Sequence, residues 1–247
     1  MKIIIIYSIL FTVLLAQLLN SCSTEECLEG AGSQSEKTVQ TGFYKVANIN
    51  GIFDVFLVQD TTSYIRFEGG DNLLAQVNAI NTDSVVWIDN NLKCNFLKDY
   101  QKIKVFLHFN NISQIYIKEA CTVRTEKPIT DIFTLIAEAQ VADIDIELNT
   151  YHFFFYNNRT SGGIYVFRGW CTYCSIKGFY SGKVDASNLN TVKINIENHS
   201  VTNYSVRAQE EVHAKIFNNG NIYVYGKPEV YIDSIAGSGK VIEVDEP

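Results

Sequence analysis

The sequence predicts an all-β solenoid of about twenty residues per coil, preceded by a less regular strand region. Three observations predict it. Hydrophobic residues make up 47% of the 247, and 14 Tyr and 15 Phe stand against three Pro, a balance that favours strands around a substantial core. From Phe133 onward the chain falls into rows of twenty, beginning at Phe133, Phe153, Tyr173, Lys193 and His213, each with two short strands separated by turn formers. No row holds the longer helical pattern that a βα repeat requires.

The rows assign the ladder residues. The fourth place reads Ile136, Tyr156, Ile176, Ile196 and Ile216; the twelfth reads Ile144, Ile164, Val184, Tyr204 and Val224. The fourteenth reads Ile146, Val166, Ala186, Val206 and Gly226. Between the strands sit turn formers such as Ser181-Gly182, Asn198-His199-Ser200 and Asn218-Asn219-Gly220-Asn221. A single row buries too little to fold alone, so rows must stack in parallel with like places above one another.

Upstream, Phe53–Val58 and Tyr64–Phe67 alternate around Asp60-Thr61-Thr62-Ser63, which reads as a hairpin-like turn. Val85–Ile88 and Ile103–Phe109 are further strands, and Asp71–Val77 is a helical turn with Asp71 as its N-cap. Residues 42–115 are expected to join the same sheet system and cap the solenoid, so 42–247 forms a single domain without an internal linker.

The N-terminus reads as an address. Residues 3–19 are almost wholly apolar, short for a membrane span, and followed by small and polar residues. Leu18-Leu19-Asn20-Ser21-Cys22 resembles a bacterial lipobox, which implies cleavage after residue 21 and lipid on the Cys22 thiol. The acids Glu25 and Glu26 behind it resemble the export signal of Bacteroidetes surface lipoproteins. Residues 22–41 have a tether's composition. The expected location is the outer membrane, with display at the cell surface.

Gly51-Ile52-Phe53-Asp54-Val55, Gly69-Gly70-Asp71-Asn72-Leu73-Leu74 and Ser181-Gly182-Lys183-Val184-Asp185-Ala186 resemble segments of the auto-transporter adhesin head family, the GIN domain or DUF2807. Asn219–Pro228 and Gly237-Ser238-Gly239-Lys240-Val241 extend the resemblance, which covers about 43–242. It implies a right-handed parallel β-helix on a Bacteroidetes envelope protein. The family supplies no catalytic residues to carry over.

Candidate chemistry is sparse. A net charge of −7 without a strongly basic stretch excludes a nucleic-acid footprint. With Cys22 lipidated, five cysteines remain at 27, 94, 121, 171 and 174, an odd number that leaves at least one free. Cys171 and Cys174 have the CxxC spacing of a redox or metal pair, or of a disulfide, but lie at a strand boundary with no helix. Cys174 shares its row place with Phe154 and Ile194, so the structural reading leads. The four histidines (108, 152, 199 and 213) lack ligand spacing.

Asp143, Asp145 and Glu147 alternate on one outward face. They are the motif that would serve a calcium site or a polysaccharide-lyase-like enzyme, with Lys183 and Asp185 as neighbours. Twenty-residue rows set Gly163, Tyr165 and Phe167 beside these acids, which favours a solvated face. The aromatics carry more: Tyr165, Phe167, Trp170, Tyr180, Tyr223 and Tyr225 are read as an outward stripe for sugar rings or a protein partner. The expected function is thus a non-enzymatic, adhesin-like or structural envelope module without a cofactor. A carbohydrate-active β-helix enzyme is the alternative.

Overall fold

The structure, a computed structural model, describes residues 30–92, 101–157 and 162–245. The apolar leader, Cys22, Cys27 and Cys94 lie outside the described residues. In chain order the described residues form β1 (Gln34–Val39), β2 (Val46–Asn50), β3 (Phe53–Gln59), β4 (Tyr64–Gly70) and a one-turn helix α1 (Asp71–Leu74). Then follow β5 (Val77–Thr82), β6 (Val85–Asn90), β7 (Ile103–Phe109), β8 (Gln114–Ile117), β9 (Cys121–Thr125) and β10 (Phe133–Ala137). The rest is β11 (Ala142–Asn157), β12 (Gly162–Ser200), β13 (Tyr204–Ile216), β14 (Ile222–Tyr225), β15 (Glu229–Ile235) and β16 (Val241–Glu243).

A straight strand of 39 residues such as β12 would reach roughly 130 Å at about 3.3 Å per residue. These long runs instead bend at corners and pass from one face of a parallel solenoid to the other, in about six turns. One face carries β5, β6, β2, β8, β10 and the second half of β11, followed by the matching halves of β12 and β13 and by β15. The other carries β1, β4, β7, β3, β9 and the first half of β11, ending in β14 and β16. Chain order and stacking order part company at the start. The coil β2–β3 lies between β6–β7 and β8–β9, so the chain runs outward to build a cap before resuming the stack.

The cap closes the solenoid with antiparallel strands: β4 lies against β7, β1 against β4, and β5 against β6. Three sequence expectations change here. Residues 34–39 fall in the segment given a tether's composition, yet they form β1, because edge pairing to β4 needs only backbone groups and leaves polar side chains in water. The turn at Asp60–Ser63 does not close a hairpin, since β7 lies between β3 and β4. Helix α1 does form, and buries Leu73 and Leu74, but its N-cap is Gly70. The Asp71 carboxylate instead accepts hydrogen bonds from the Ser33 hydroxyl and the Asn72 N–H.

The repeat is real, but its length is not constant. Phe133 lies beside Phe153, 20 residues on; Phe153 beside Cys174, 21 on; and Lys193 beside Glu211, 18 on. The differences are absorbed at corners and in bulges between Ala186 and Asn190 and between Thr191 and Lys193. Several ladder assignments therefore shift by one or two places. Ile136 and Tyr156 pair with each other on the outward side, while Ile176 points inward beside Phe155. Ile164 stands 53% exposed and Val166 is half-buried. Tyr165 follows Ile144 and Phe167 follows Ile146 in the core. Val224 sits beside Val206, not Tyr204, and Gly226 leaves the ladder for a corner.

The interior is a narrow column of stacked apolar side chains. One inward ladder runs Ala47, Ile115, Leu135, Phe155 and Ile176; another runs Val184, Tyr204, Ile222 and Val241. Phe155 packs at 5.0 Å from Phe167 and 4.8 Å from Tyr165, ring centre to ring centre. Polar residues enter this column at the corners, where turn carbonyls need donors. Thr150 donates to the Asp131 carbonyl, Thr191 to the Arg207 carbonyl and Ser200 to the Tyr180 carbonyl. At the corner that Thr150 occupies in the preceding coil, Gly169 takes φ +95°, and a Cβ there would meet the Leu148 carbonyl oxygen of that coil at 2.2 Å.

The corrected register makes a stability prediction. Ile196 is fully buried and sits beside Ala214, not Ile216, and Asn195 next to it is exposed. Ile196→Ala is expected to cost about 2–5 kcal/mol, and Asn195→Ala no more than about 0.5 kcal/mol, in denaturant unfolding of the full chain. Equal losses at both positions would invert the assigned faces.

Candidate binding face

The six aromatics read as an outward stripe do not converge. Tyr165 and Phe167 are fully buried, because the 21-residue step from Ile144 and Ile146 places them in the column. They are core residues and cannot meet a ligand at the surface. Trp170 (36% exposed) follows the Gly169 corner, and Tyr180 (54% exposed) sits at the opposite corner between the same two strand faces. Tyr223 and Tyr225 are half-buried on β14, with the Arg207 guanidinium 5.6 Å from the Tyr225 ring centre.

The acids resolve equally clearly. Asp143, Asp145 and Glu147 do alternate outward from β11, but their next-coil neighbours are Ile164, Val166 and Arg168. Asp143 accepts the Ile164 N–H at 3.0 Å, and Asp145 pairs with Arg168 at 2.5 Å. No group of three His, Cys, Asp or Glu able to hold a metal occurs among the described residues.

Cys121, Cys171 and Cys174 are buried free thiols. Cys174 is flanked by Phe153 in the core. Burial raises the Cys174 thiol far above its ordinary pKa and pushes Cys121 up to about 12, so neither supplies a reactive thiolate. His108 is buried as well, with Nδ1 3.2 Å from Asp60 and its ring stacked on Tyr64 at 3.9 Å.

A different cluster does assemble, on the outward side of the face that carries β10, β15 and the matching parts of β12 and β13. Lys177, Glu197 and Lys215 stand in line across three coils, with Glu197 3.0 Å from Lys177 and 3.2 Å from Lys215. One step along each strand, Phe179, His199 and Phe217 form a second line of stacked rings. Their centres are 4.4 and 4.1 Å apart and their planes within 23° and 7°. His199 ties the lines together, its Nε2 lying 3.4 Å from Glu197. Toward β15, Lys193 meets Glu211 at 2.7 Å, and His213 both contacts Asp233 at 3.2 Å and stacks on Tyr231. The sequence signal was present as Lys177-x-Phe179, Glu197-x-His199 and Lys215-x-Phe217. A fixed row of twenty hides it, because the last step is 18 residues.

Burial would raise the Glu197 carboxyl, but hydrogen bonds from Lys177, Lys215 and His199 outweigh it and hold the pKa at about 2. Burial lowers the His199 pKa, with the Lys177 charge acting the same way, against the pull of Glu197. The imidazole is therefore neutral at neutral pH. Two hollows adjoin these lines. One, of about 220 Å³, is lined by residues including Glu197, His213, Lys215 and Asp233. The larger, about 530 Å³ and mostly apolar, is lined by Phe179, Tyr180, Ser181, His199, Val201 and Asn218.

Residues 42–228 match the family described as "Putative auto-transporter adhesin, head GIN domain" (DUF2807). A crystal structure of a "putative adhesin" from Bacteroides fragilis superposes with a TM-score of 0.75 at 18% identity, covering 86% of this chain and 97% of that one. A "putative lipid binding protein" from Parabacteroides distasonis gives 0.62 at 16%, over 87% and 98%. A "putative adhesin" from Parabacteroides merdae gives 0.57 at 14%, over 87% and 98%. At these identities the likeness establishes the shared fold. Among curated proteins none matches the chain.

The Glu197 cluster makes a pH prediction. A carboxyl held below its unfolded value of 4.5 contributes stability above that pH and loses it as the pH falls toward 2. Glu197→Gln should destabilise the protein by about 1 kcal/mol at pH 7, and the gap to the parent should close between pH 4.5 and about 2. Melts of both proteins across that range check it; a gap independent of pH would show that the charge is not what holds the cluster.

Proposed function

Because the chain belongs to the auto-transporter adhesin head GIN domain family, we propose that it is a non-enzymatic, adhesin-like binding module of the cell envelope. In this reading lipid on Cys22 anchors it to the outer membrane and the solenoid is displayed outward. The observation that carries the proposal is the face just described. Aromatic and charged side chains stand in ladders on strands that are hydrogen-bonded on both sides, which gives a stiff, exposed recognition wall. Tyr151, Tyr173, Phe217 and Tyr231 are each at least 37% exposed on the same wall. A partner meeting it finds side chains that are already ordered, so little conformational entropy is lost on contact. Of the three acids an enzyme would draw on, Asp143 accepts a backbone N–H and Asp145 pairs with Arg168.

Protease treatment of intact cells carrying a C-terminally tagged chain, paired with an adhesion assay, tests this reading. The parent chain should be shaved from the surface, and cells lacking it should adhere less to host-derived or bacterial surfaces. Cys22→Ala should leave the protein unlipidated, soluble and without effect on adhesion. Protection of the parent from protease would place it inside the envelope. A Cys22→Ala precursor that still fractionates with membranes at full length would make residues 3–19 a membrane span.

A further inference from the structure

The hollow beside the ring ladder has features that a merely covered sheet does not need. Tyr180 takes φ +62°, in the left-handed region that bulky residues avoid, where glycine would sit without strain. Its backbone is held there by two bonds to its carbonyl oxygen, from Val201 N–H at 2.9 Å and the Ser200 hydroxyl at 2.7 Å. An exposed aromatic ring is thus kept at a strained corner, and this strain lies at the edge of a concave surface.

Opposite it, the Phe179–His199–Phe217 stack is fixed by its own ring contacts and by the bond from His199 to Glu197. Val201, 57% exposed, completes an apolar wall; Ser181 and Asn218 also line the hollow, the Asn218 amide being oriented by its bonds to the His199 carbonyl and the Asn219 N–H. The hollow's volume of about 530 Å³ falls in the range of small-ligand sites. Its lining residues carry no formal charge, His199 being neutral; Lys177 and Lys215 stand outside the lining and share the one carboxylate of Glu197. No lysine or arginine is among the residues that line it, so the lining itself selects for uncharged surface. A ligand with one apolar face and a hydroxylated rim matches the exposed Tyr180 ring flanked by Val201, a hydroxyl and an amide.

We propose that the hollow framed by Phe179, Tyr180, His199 and Val201 binds an uncharged pyranose ring of an oligosaccharide. The inference rests on the adhesin-like reading above and gives it a ligand class and a site. The sugar's C–H face lies on the exposed Tyr180 ring, beside the edges of the stacked Phe179 and His199 rings, and its hydroxyls meet Ser181 and Asn218.

The test is saturation-transfer NMR and calorimetry on the full chain in detergent micelles. The probes are neutral tri- to hexasaccharides of glucose, galactose or mannose, with a sialylated trisaccharide and a leucine-rich peptide as comparisons. At least one neutral oligosaccharide should bind saturably. Tyr180→Gly keeps the corner's backbone conformation, so the melting temperature should not fall, but affinity should drop about tenfold. Trp170→Ala, at a different corner, should bind as the parent does. The proposal is overturned if no neutral oligosaccharide binds, if only the sialylated or peptide probe binds, if Tyr180→Gly binds like the parent, or if Trp170→Ala weakens binding equally. Absence of saccharide binding while displaying cells still adhere would reject the ligand class alone; absence of both would reject the adhesin-like role with it.

Discussion

Every coil of this solenoid depends on its neighbours for both its backbone hydrogen bonds and its core. A coil contributes one short inward-facing set per face, for instance Phe153 and Phe155 on one side and Ile144 and Ile146 on the other. Neither set excludes water unless the coils above and below cover it. That constraint fixes the rest. The inward phase must be kept through the parallel stack, so variation in coil length is expelled to the corners. There Thr150, Thr191 and Ser200 bond the turn carbonyls that the strands leave behind. The first coils cannot end as raw parallel edges either, and the chain spends β1, β4 and β5 on antiparallel pairing to close them.

The same constraint produces the surface. Residues paired in register inside are paired in register outside, so any residue type that recurs at a coil's spacing becomes a ladder. Lys177, Glu197 and Lys215 become an ion line, and Phe179, His199 and Phe217 a ring line, because Ile176, Ile196 and Ile216 beside them are all buried. Core packing and recognition surface are two readings of one alternation. Function in such a fold is written along the stack, and a site spans three coils while using only two or three residues from each.

How much of this the amino-acid order discloses depends on the local chemistry. The solenoid was legible because apolar alternation and turn formers recur through five rows. Its phase was not, wherever adjacent residues are both apolar. Ile164 and Tyr165, or Val166 and Phe167, fill an inward place equally well by hydrophobicity, and only pairing to Ile144 and Ile146 decides. That ambiguity turned two core aromatics into surface candidates. Tyr180 and Trp170 were legible as exposed because no ladder place falls on them. The Glu197 cluster was hidden by the 18-residue step to Lys215, and β1 by its polar composition. Cys174 was read as a core residue from its apolar surroundings, although the place assigned was off by one: its neighbour is Phe153, and Phe154 lies beside Ser175.

The account stands on the variable register, and cross-linking measures it directly. Asn195 lies beside His213, 18 residues on, whereas a constant row of twenty would put it beside Lys215. Directly paired positions on neighbouring strands fall within disulfide reach, and those two places further along do not. Asn195→Cys combined with His213→Cys should oxidise to a single disulfide, located by peptide mapping, with the fold retained. Asn195→Cys combined with Lys215→Cys should stay reduced under the same conditions. The reverse pattern would restore the constant period and contradict the register, and with it the ladders on which the binding face is built.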